Sequence, residues 1–182
     1  MKAQRAQFTP LARLLHWSMA VMILAMLFAG IGMVSSATER YRFLVAVHRP
    51  LGILILVLAV VRLTHRLLNP APPLPPSLPK VQQAAAKISH ILLYALMFIM
   101  PLLGWAMLSA APYPISLVAG FRLPAILSPD AVLYAQLRSL HTDFAFVFYA
   151  LILLHLGAAL FHAWIRRDGV YESMAGRAKP PR

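Results

Sequence analysis

The sequence predicts an all-α fold, an integral membrane four-helix bundle, and three observations support this prediction. Hydrophobic residues make up 60% of the 182 residues, only 12% are charged, and the mean hydropathy is +0.72. A soluble domain of this length carries about twice that share of charged residues. Four apolar runs are each long enough to cross a hydrocarbon core about 30 Å thick. We therefore expect one membrane domain over residues 1–182.

The first two helices are predicted at 10–34 and 40–68. Thr9 suits the N-cap of the first helix, and Pro10 suits its first helical position. This run is too long for a cleavable signal peptide. The proline-rich link at 69–79 cannot be helical and predicts an extended connector.

The last two helices are predicted at 81–108 and 130–166. Pro101 and Gly104 predict a bend in the third helix. The long connection between the two helices predicts an interfacial loop or a short re-entrant segment.

The distribution of Lys and Arg predicts that both termini lie in the cytoplasm. With the N-terminus inside, twelve basic residues fall on the inner side: Lys2, Arg5, Arg13, Arg62, Arg66, Lys80, Lys87, Arg166, Arg167, Arg177, Lys179 and Arg182. Five fall on the outer side: Arg40, Arg42, Arg49, Arg122 and Arg138. The net charge of +12 could indicate nucleic-acid binding, but the basic residues flank the apolar runs instead of forming one face. We expect no nucleic-acid partner.

Cysteine is absent from the chain, which excludes disulfides, iron–sulfur clusters and thiolate zinc sites. Histidine is then the default metal ligand. His141 and His155 are 14 residues apart on the fourth helix, which puts them roughly 40° apart on one face and about 21 Å apart along the axis. His162 lies seven residues further along on the same stripe.

The predicted topology gives these histidines partners at matching depths. His16 and His155 fall near the inner surface, and His48 and His141 near the outer surface. One histidine in a membrane helix usually makes only an interhelical hydrogen bond. Two stacked cross-helix pairs instead fit two six-coordinate haems, one per leaflet. Zinc and copper sites prefer three or four clustered ligands.

The spacing alone leaves His162 as a competitor of His155. His65 is more consistent with an interfacial residue, and His90 has no partner at its predicted depth, although it could line a quinone or haem-edge pocket. Gly52, four residues after His48, would let a flat macrocycle approach the backbone. Four arginines near the helix ends could bind propionates or reach lipid phosphates: Arg13, Arg49, Arg62 and Arg138.

Five stretches of the chain together resemble bacterial cytochromes b561 of the small four-helix di-haem type, and most closely the superoxide oxidase (superoxide:ubiquinone oxidoreductase) subgroup. They are "RLLHW" (13–17), "HRPLGILILVLAVVRLTHR" (48–66), "HILLYALMFIMPLLGWAM" (90–107), "LHTDFAFV" (140–147) and "LHLGAALFHAWIRRDGVYESM" (154–174). The resemblance implies two haems b with iron ligands at His16, His48, His141 and His155. It thereby favours His155 over His162, and it places the family's arginine at Arg62.

The resemblance also implies an activity and a location. Superoxide would give electrons to the outer haem, and ubiquinone would accept them, in a bacterial inner membrane. The five outer arginines outnumber Glu39 and Asp130 on that side, so the outer surface is net positive and would attract superoxide. The candidate substrate contacts are Arg49, Arg138, His90, Tyr94 and Trp105. Two alternatives remain: a cytochrome b subunit that passes electrons from a dehydrogenase or hydrogenase partner to quinone, and a membrane protein without redox function.

Overall fold

The computed structural model describes residues 7–35, 39–113, 115–117 and 120–176. Four long helices form the bundle: α1 (Pro10–Val34), α2 (Glu39–Leu68), α3 (Lys80–Ala110) and α4 (Ala131–Phe161). A π-helical segment (His162–Arg166) extends α4, and a short helix α5 (Val170–Ala175) follows it. The described residues contain no β-strand, only an isolated bridge between Ser116 and Arg122.

All four long helices are long and apolar enough to cross a membrane. The prediction of an all-α chain with four such helices is therefore confirmed. The cytoplasmic position of the termini stays a prediction. Five of the basic residues on which it depends lie outside the described residues: Lys2, Arg5, Arg177, Lys179 and Arg182.

Local sequence accounts for where the helices begin. The Thr9 side chain accepts a hydrogen bond from the Ala12 N–H (3.2 Å), so the predicted N-cap of α1 is confirmed. Asp130 caps α4 by accepting from the N–H groups of Val132 and Leu133, at 2.8 and 2.9 Å. The helix α3 continues through Pro101 as one element.

Each helix packs on the next along the chain: α1 on α2, α2 on α3 and α3 on α4. In contrast, α4 makes little direct backbone contact with α1 or α2. The buried residues at mid-depth form one cluster: Met19, Ile55, Ala59, Leu96, Met97 and Phe148. Many apolar side chains face outward, such as Phe28 (73% exposed) and Leu154 (70% exposed), as expected for a lipid-facing surface.

The bundle has two distinct ends. We call the end with Phe8 and α5 the terminal end, and the end with the α1–α2 and α3–α4 connections the loop end. At the terminal end, the chain after α4 returns to the start of α1: the Phe8 N–H donates to the Ser173 carbonyl (3.1 Å), and the Trp17 indole donates to the Met174 carbonyl (3.3 Å).

Candidate functional site

Two pairs of histidine rings face each other across the bundle, one at each end. The terminal-end pair is His16 of α1 and His155 of α4, with ring centroids 6.2 Å apart and planes inclined by 71°. The loop-end pair is His48 of α2 and His141 of α4, with centroids 6.3 Å apart and planes inclined by 67°. The structure thus brings together the same two pairs that depth matching predicts.

The spacing within each pair suits a metal ion held between the two rings. Two metal–nitrogen bonds of about 2 Å, with each ring centre about 1 Å beyond its nitrogen, give a centroid separation of about 6 Å. At the loop end, the Nδ1 atoms of His48 and His141 are buried and have no hydrogen-bond partner among the described residues. Buried ring nitrogens without partners are costly in an apolar bundle, so this pair carries a polar cost that packing alone does not explain.

The packing of the helices separates α4 from the two helices that carry its partner histidines. Both pairs join α4 to a helix with which it has little backbone contact, α1 at the terminal end and α2 at the loop end. A flat macrocycle between two axial imidazoles requires such a separation. Among the described residues, no group of three or more His, Asp or Glu is arranged to hold a metal ion. What the described residues offer at each end is an imidazole pair, a donor set that fits six-coordinate haem.

Arg62 of α2 joins the terminal-end pair to α3. One guanidinium nitrogen lies 3.2 Å from His16 Nδ1, and the other terminal nitrogen donates to the Ala12 carbonyl at 3.3 Å. The guanidinium carbon also lies 5.8 Å from the centre of the Tyr94 ring, in cation–π contact. Two of the predicted residues, Arg62 and Tyr94, are thus neighbours at this end.

His90 is also at the terminal end, where its ring centroid is 5.6 Å from that of His155, with the planes inclined by 68°. The expectation that His90 has no partner at its depth was wrong. His155 therefore has two imidazole neighbours, and ring spacing alone does not choose between them. α3 and α4 pack directly, whereas α1 makes little backbone contact with α4, so the separation of the helices favours the His16 side for a macrocycle.

His162 occupies a separate polar cluster at the terminal end. The π-helical segment and the left-handed backbone of Arg167 (φ 51°) fold Asp168 back, and both of its carboxylate oxygens lie within 3.0 Å of His162 Nδ1. Arg166 Nε donates to the same carboxylate (3.0 Å). Burial alone would raise the pKa of Asp168, but hydrogen bonds from His162, Arg166 and the Val170 N–H outweigh it and lower that pKa. His155 thus faces His16, while His162 is held by Asp168.

The other candidates have more peripheral positions. Arg13 donates to the Gln7 side chain (3.4 Å) and packs against Gly176. Gly52 faces α1, where an added Cβ would stand 3.5 Å from Met26 Cε. At the loop end, Arg49 interacts electrostatically with His48, and Arg138 is exposed.

Trp105 contributes to a cavity of about 200 Å³ between the end of α3 and the α3–α4 connection. Its indole N–H donates to the Pro124 carbonyl at 2.9 Å. Trp105 therefore offers an aromatic face, and not a free hydrogen-bond donor, to anything that enters the cavity.

Sequence reasoning missed Gly104 as a contact of the loop-end pair. A Cβ at this position would stand 3.4 Å from His141 Cε1 and 3.8 Å from Nδ1. Its only sequence signal is a small residue in a long apolar helix at the depth of His141, which we interpreted as a bend.

The chain matches a family model described as prokaryotic cytochrome b561 over residues 7–177. It is 32% identical over 170 residues to cytochrome b561 homolog 1 of Escherichia coli strain K12, covering 91% of this chain and 94% of that protein. Cytochrome b561 homolog 2 of the same organism is 28% identical over 165 residues, with 90% and 88% covered. A probable superoxide oxidase CybB of Yersinia pestis is 28% identical over 156 residues, with 85% and 87% covered. The chain belongs to the prokaryotic cytochrome b561 family, whose members are membrane haem proteins that transfer electrons.

Proposed function

We propose that this protein is a di-haem superoxide:ubiquinone oxidoreductase of the bacterial inner membrane, with both termini in the cytoplasm. The observation that carries the proposal is the presence of two imidazole pairs with nearly equal spacing at opposite ends of one bundle. In this proposal, His16 and His155 hold one haem b, and His48 and His141 hold the other. Bound haem would supply reversible one-electron chemistry, and the two pairs would hold the haems at opposite ends of the bundle, so that electrons could cross the bilayer between them.

The choice of ligands favours electron transfer over small-molecule binding at iron. With two imidazoles at each level to hold the haem iron, superoxide and quinone would exchange electrons at the edges of the sites and would not bind the iron. The overall reaction consumes two superoxide ions, two protons and one ubiquinone, and yields two O₂ and one ubiquinol. His90 and Tyr94 at the terminal end, and Trp105 at the loop end, are proposed contacts of quinone or haem.

The charge of the loop end supports an anionic substrate there. Five arginines outnumber three carboxylates: Arg40, Arg42, Arg49, Arg122 and Arg138 against Glu39, Asp130 and Asp143. Of these carboxylates, Glu39 already pairs with Arg42, and Asp130 caps α4. The remaining positive field would attract superoxide at a rate that falls with ionic strength. The 28% identity to the probable superoxide oxidase of Yersinia pestis supports the same substrate.

The second candidate is an electron-transfer subunit that takes electrons from a dehydrogenase or hydrogenase partner. Family membership alone supports it equally, since two of the relatives are named only as cytochrome b561 homologs. The positive charge of the loop end favours superoxide as the electron donor, because a protein donor does not require a surface that attracts small anions.

The test mixes the purified protein, a superoxide source and a short-chain ubiquinone, with no other protein present. We expect ubiquinol formation that slows as salt is added and that His141→Ala abolishes. Arg138→Gln removes an exposed loop-end charge and should lower the second-order rate several-fold, whereas Lys80→Gln, an exposed charge at the terminal end, should not. Protein that carries haem but forms no ubiquinol would instead be a subunit that requires a donor partner.

A further inference from the structure

Arg62 makes the two ends of the bundle electrostatically unequal. One guanidinium nitrogen lies 3.2 Å from His16 Nδ1, and the guanidinium interacts electrostatically with His155 as well. Arginine stays charged under all relevant conditions, so this is a permanent positive charge on the terminal-end pair. The contact with the Tyr94 ring and the bond to the Ala12 carbonyl hold the charge in place.

The loop-end pair has no equivalent contact among the described residues. The Nδ1 atoms of both of its rings lack a hydrogen-bond partner there. Arg49 interacts electrostatically with His48, but no cation interacts in this way with His141. Gly104, which has no side chain, is the neighbour of the His141 ring. A cation therefore acts on both rings of the terminal-end pair, but on only one ring of the loop-end pair.

We infer that Arg62 sets the direction of electron flow by making the terminal-end pair the site of higher reduction potential. A metal centre loses one positive charge when it gains an electron, so a fixed cation beside its ligand favours the reduced state. At an effective dielectric constant of about 20, one charge several ångströms away changes the ratio of reduced to oxidised centre by about tenfold or more.

The inference rests on the proposed function, because it concerns the haems that the two pairs would hold. It adds the driving force for that function. Electrons that enter at the loop end move towards the terminal end, where quinone would receive them. Arg62 is thus a positioning and potential-setting residue, and it touches a proposed ligand instead of the substrate.

The experiment is a redox titration of the purified full chain, followed by absorption and electron paramagnetic resonance spectra. It uses the His141→Ala background, in which only the terminal-end haem is expected. Arg62→Gln should lower the potential of that haem by about 59 mV or more, which is the tenfold change for one electron. Arg62→Lys keeps the charge and should cause a clearly smaller shift. An unchanged potential in Arg62→Gln with haem still bound would overturn the inference.

Two further measurements keep the test decisive if Arg62→Gln loses haem. Tyr94→Leu removes the ring under the guanidinium and should lower the terminal-end potential, whereas Tyr94→Phe should preserve it. The His141→Ala protein should keep only the terminal-end haem, and the His155→Ala protein only the loop-end haem. The reduction potential measured in the first protein should be higher than that measured in the second. The reverse order would overturn the inference. Wild-type protein without haem would defeat the proposed function, whereas normal haem content with unshifted potentials defeats only the role of Arg62.

Discussion

Gly104 of α3 lies directly against the imidazole of His141, with room for a methyl group but for little more between them. A Cβ at position 104 would stand 3.4 Å from His141 Cε1, at the edge of ordinary van der Waals contact. α3 thereby supports one ring of the loop-end pair from behind, although it contributes no histidine to that pair. The orientation of His141 depends on the size of this residue.

We therefore expect Gly104→Ala to be tolerated and Gly104→Val to displace the His141 ring. The valine protein should lose haem from the loop end and keep it at the terminal end, with haem content falling from two towards one per chain by pyridine haemochrome assay. Gly157→Val is the matched control, because an added Cβ there meets nothing within 4 Å. Full haem content in Gly104→Val would contradict the supporting role of this contact.

Single substitutions of the paired histidines test the ligand sets. His16→Ala and His155→Ala should each remove the same spectral component, and His48→Ala and His141→Ala the other, because in the proposed arrangement each pair holds one iron. Each variant should retain one haem. His65→Ala is the control: its Nε2 lies 3.2 Å from the Thr9 hydroxyl at the terminal end, outside both pairs, and it should retain two.

The same series distinguishes the two neighbours of His155. His90→Ala should retain both haems, with at most a small shift of the terminal-end spectrum. If His90→Ala loses a haem while His16→Ala does not, the terminal-end ligands are His90 and His155.

The sequence was sufficient for the spans and for the matching depths of the four paired histidines, because apolar run length and position along a helix determine both. It was not sufficient for the contacts of α3. Which face of α3 meets α4 depends on how the two helices are rotated against each other, and His90 and Gly104 both depend on that rotation. The His162–Asp168 contact depends on a π-helical segment and a left-handed Arg167, which no periodic pattern in the sequence indicates.

Gly176 ends α5 with a left-handed backbone (φ 80°), and an added Cβ would overlap the guanidinium of Arg13. We expect Gly176→Ala to weaken the docking of α5 on the start of α1, since the backbone strain costs about 1 kcal/mol and Arg13 must also move. Faster protease cleavage near Ser173 would report this change. Gly169→Ala is the matched control, because φ is also left-handed there (83°) and an added Cβ would meet nothing within 4 Å. Equal cleavage of the two variants would show that the Arg13 contact contributes nothing.

The lowered pKa of the Asp168 carboxyl group predicts how the stability of the terminal end changes with pH. Because hydrogen bonds lower its pKa in the folded protein, its contribution to stability is complete above the unfolded value of about 3.9 and is lost as pH falls through the lowered value. Hydrogen exchange of residues 168–176 should therefore be constant between pH 7 and 5, after correction for intrinsic rates, and increase only below about pH 4. Asp168→Asn should already exchange faster at pH 7, by a local destabilisation of about 2 kcal/mol. Glu39→Gln is the control: it breaks the pair with Arg42, in which the Glu39 side chain is 82% exposed, and it should leave the hydrogen exchange of residues 168–176 unchanged. An Asp168→Asn protein with wild-type exchange at pH 7 would mean that the carboxylate does not hold this segment.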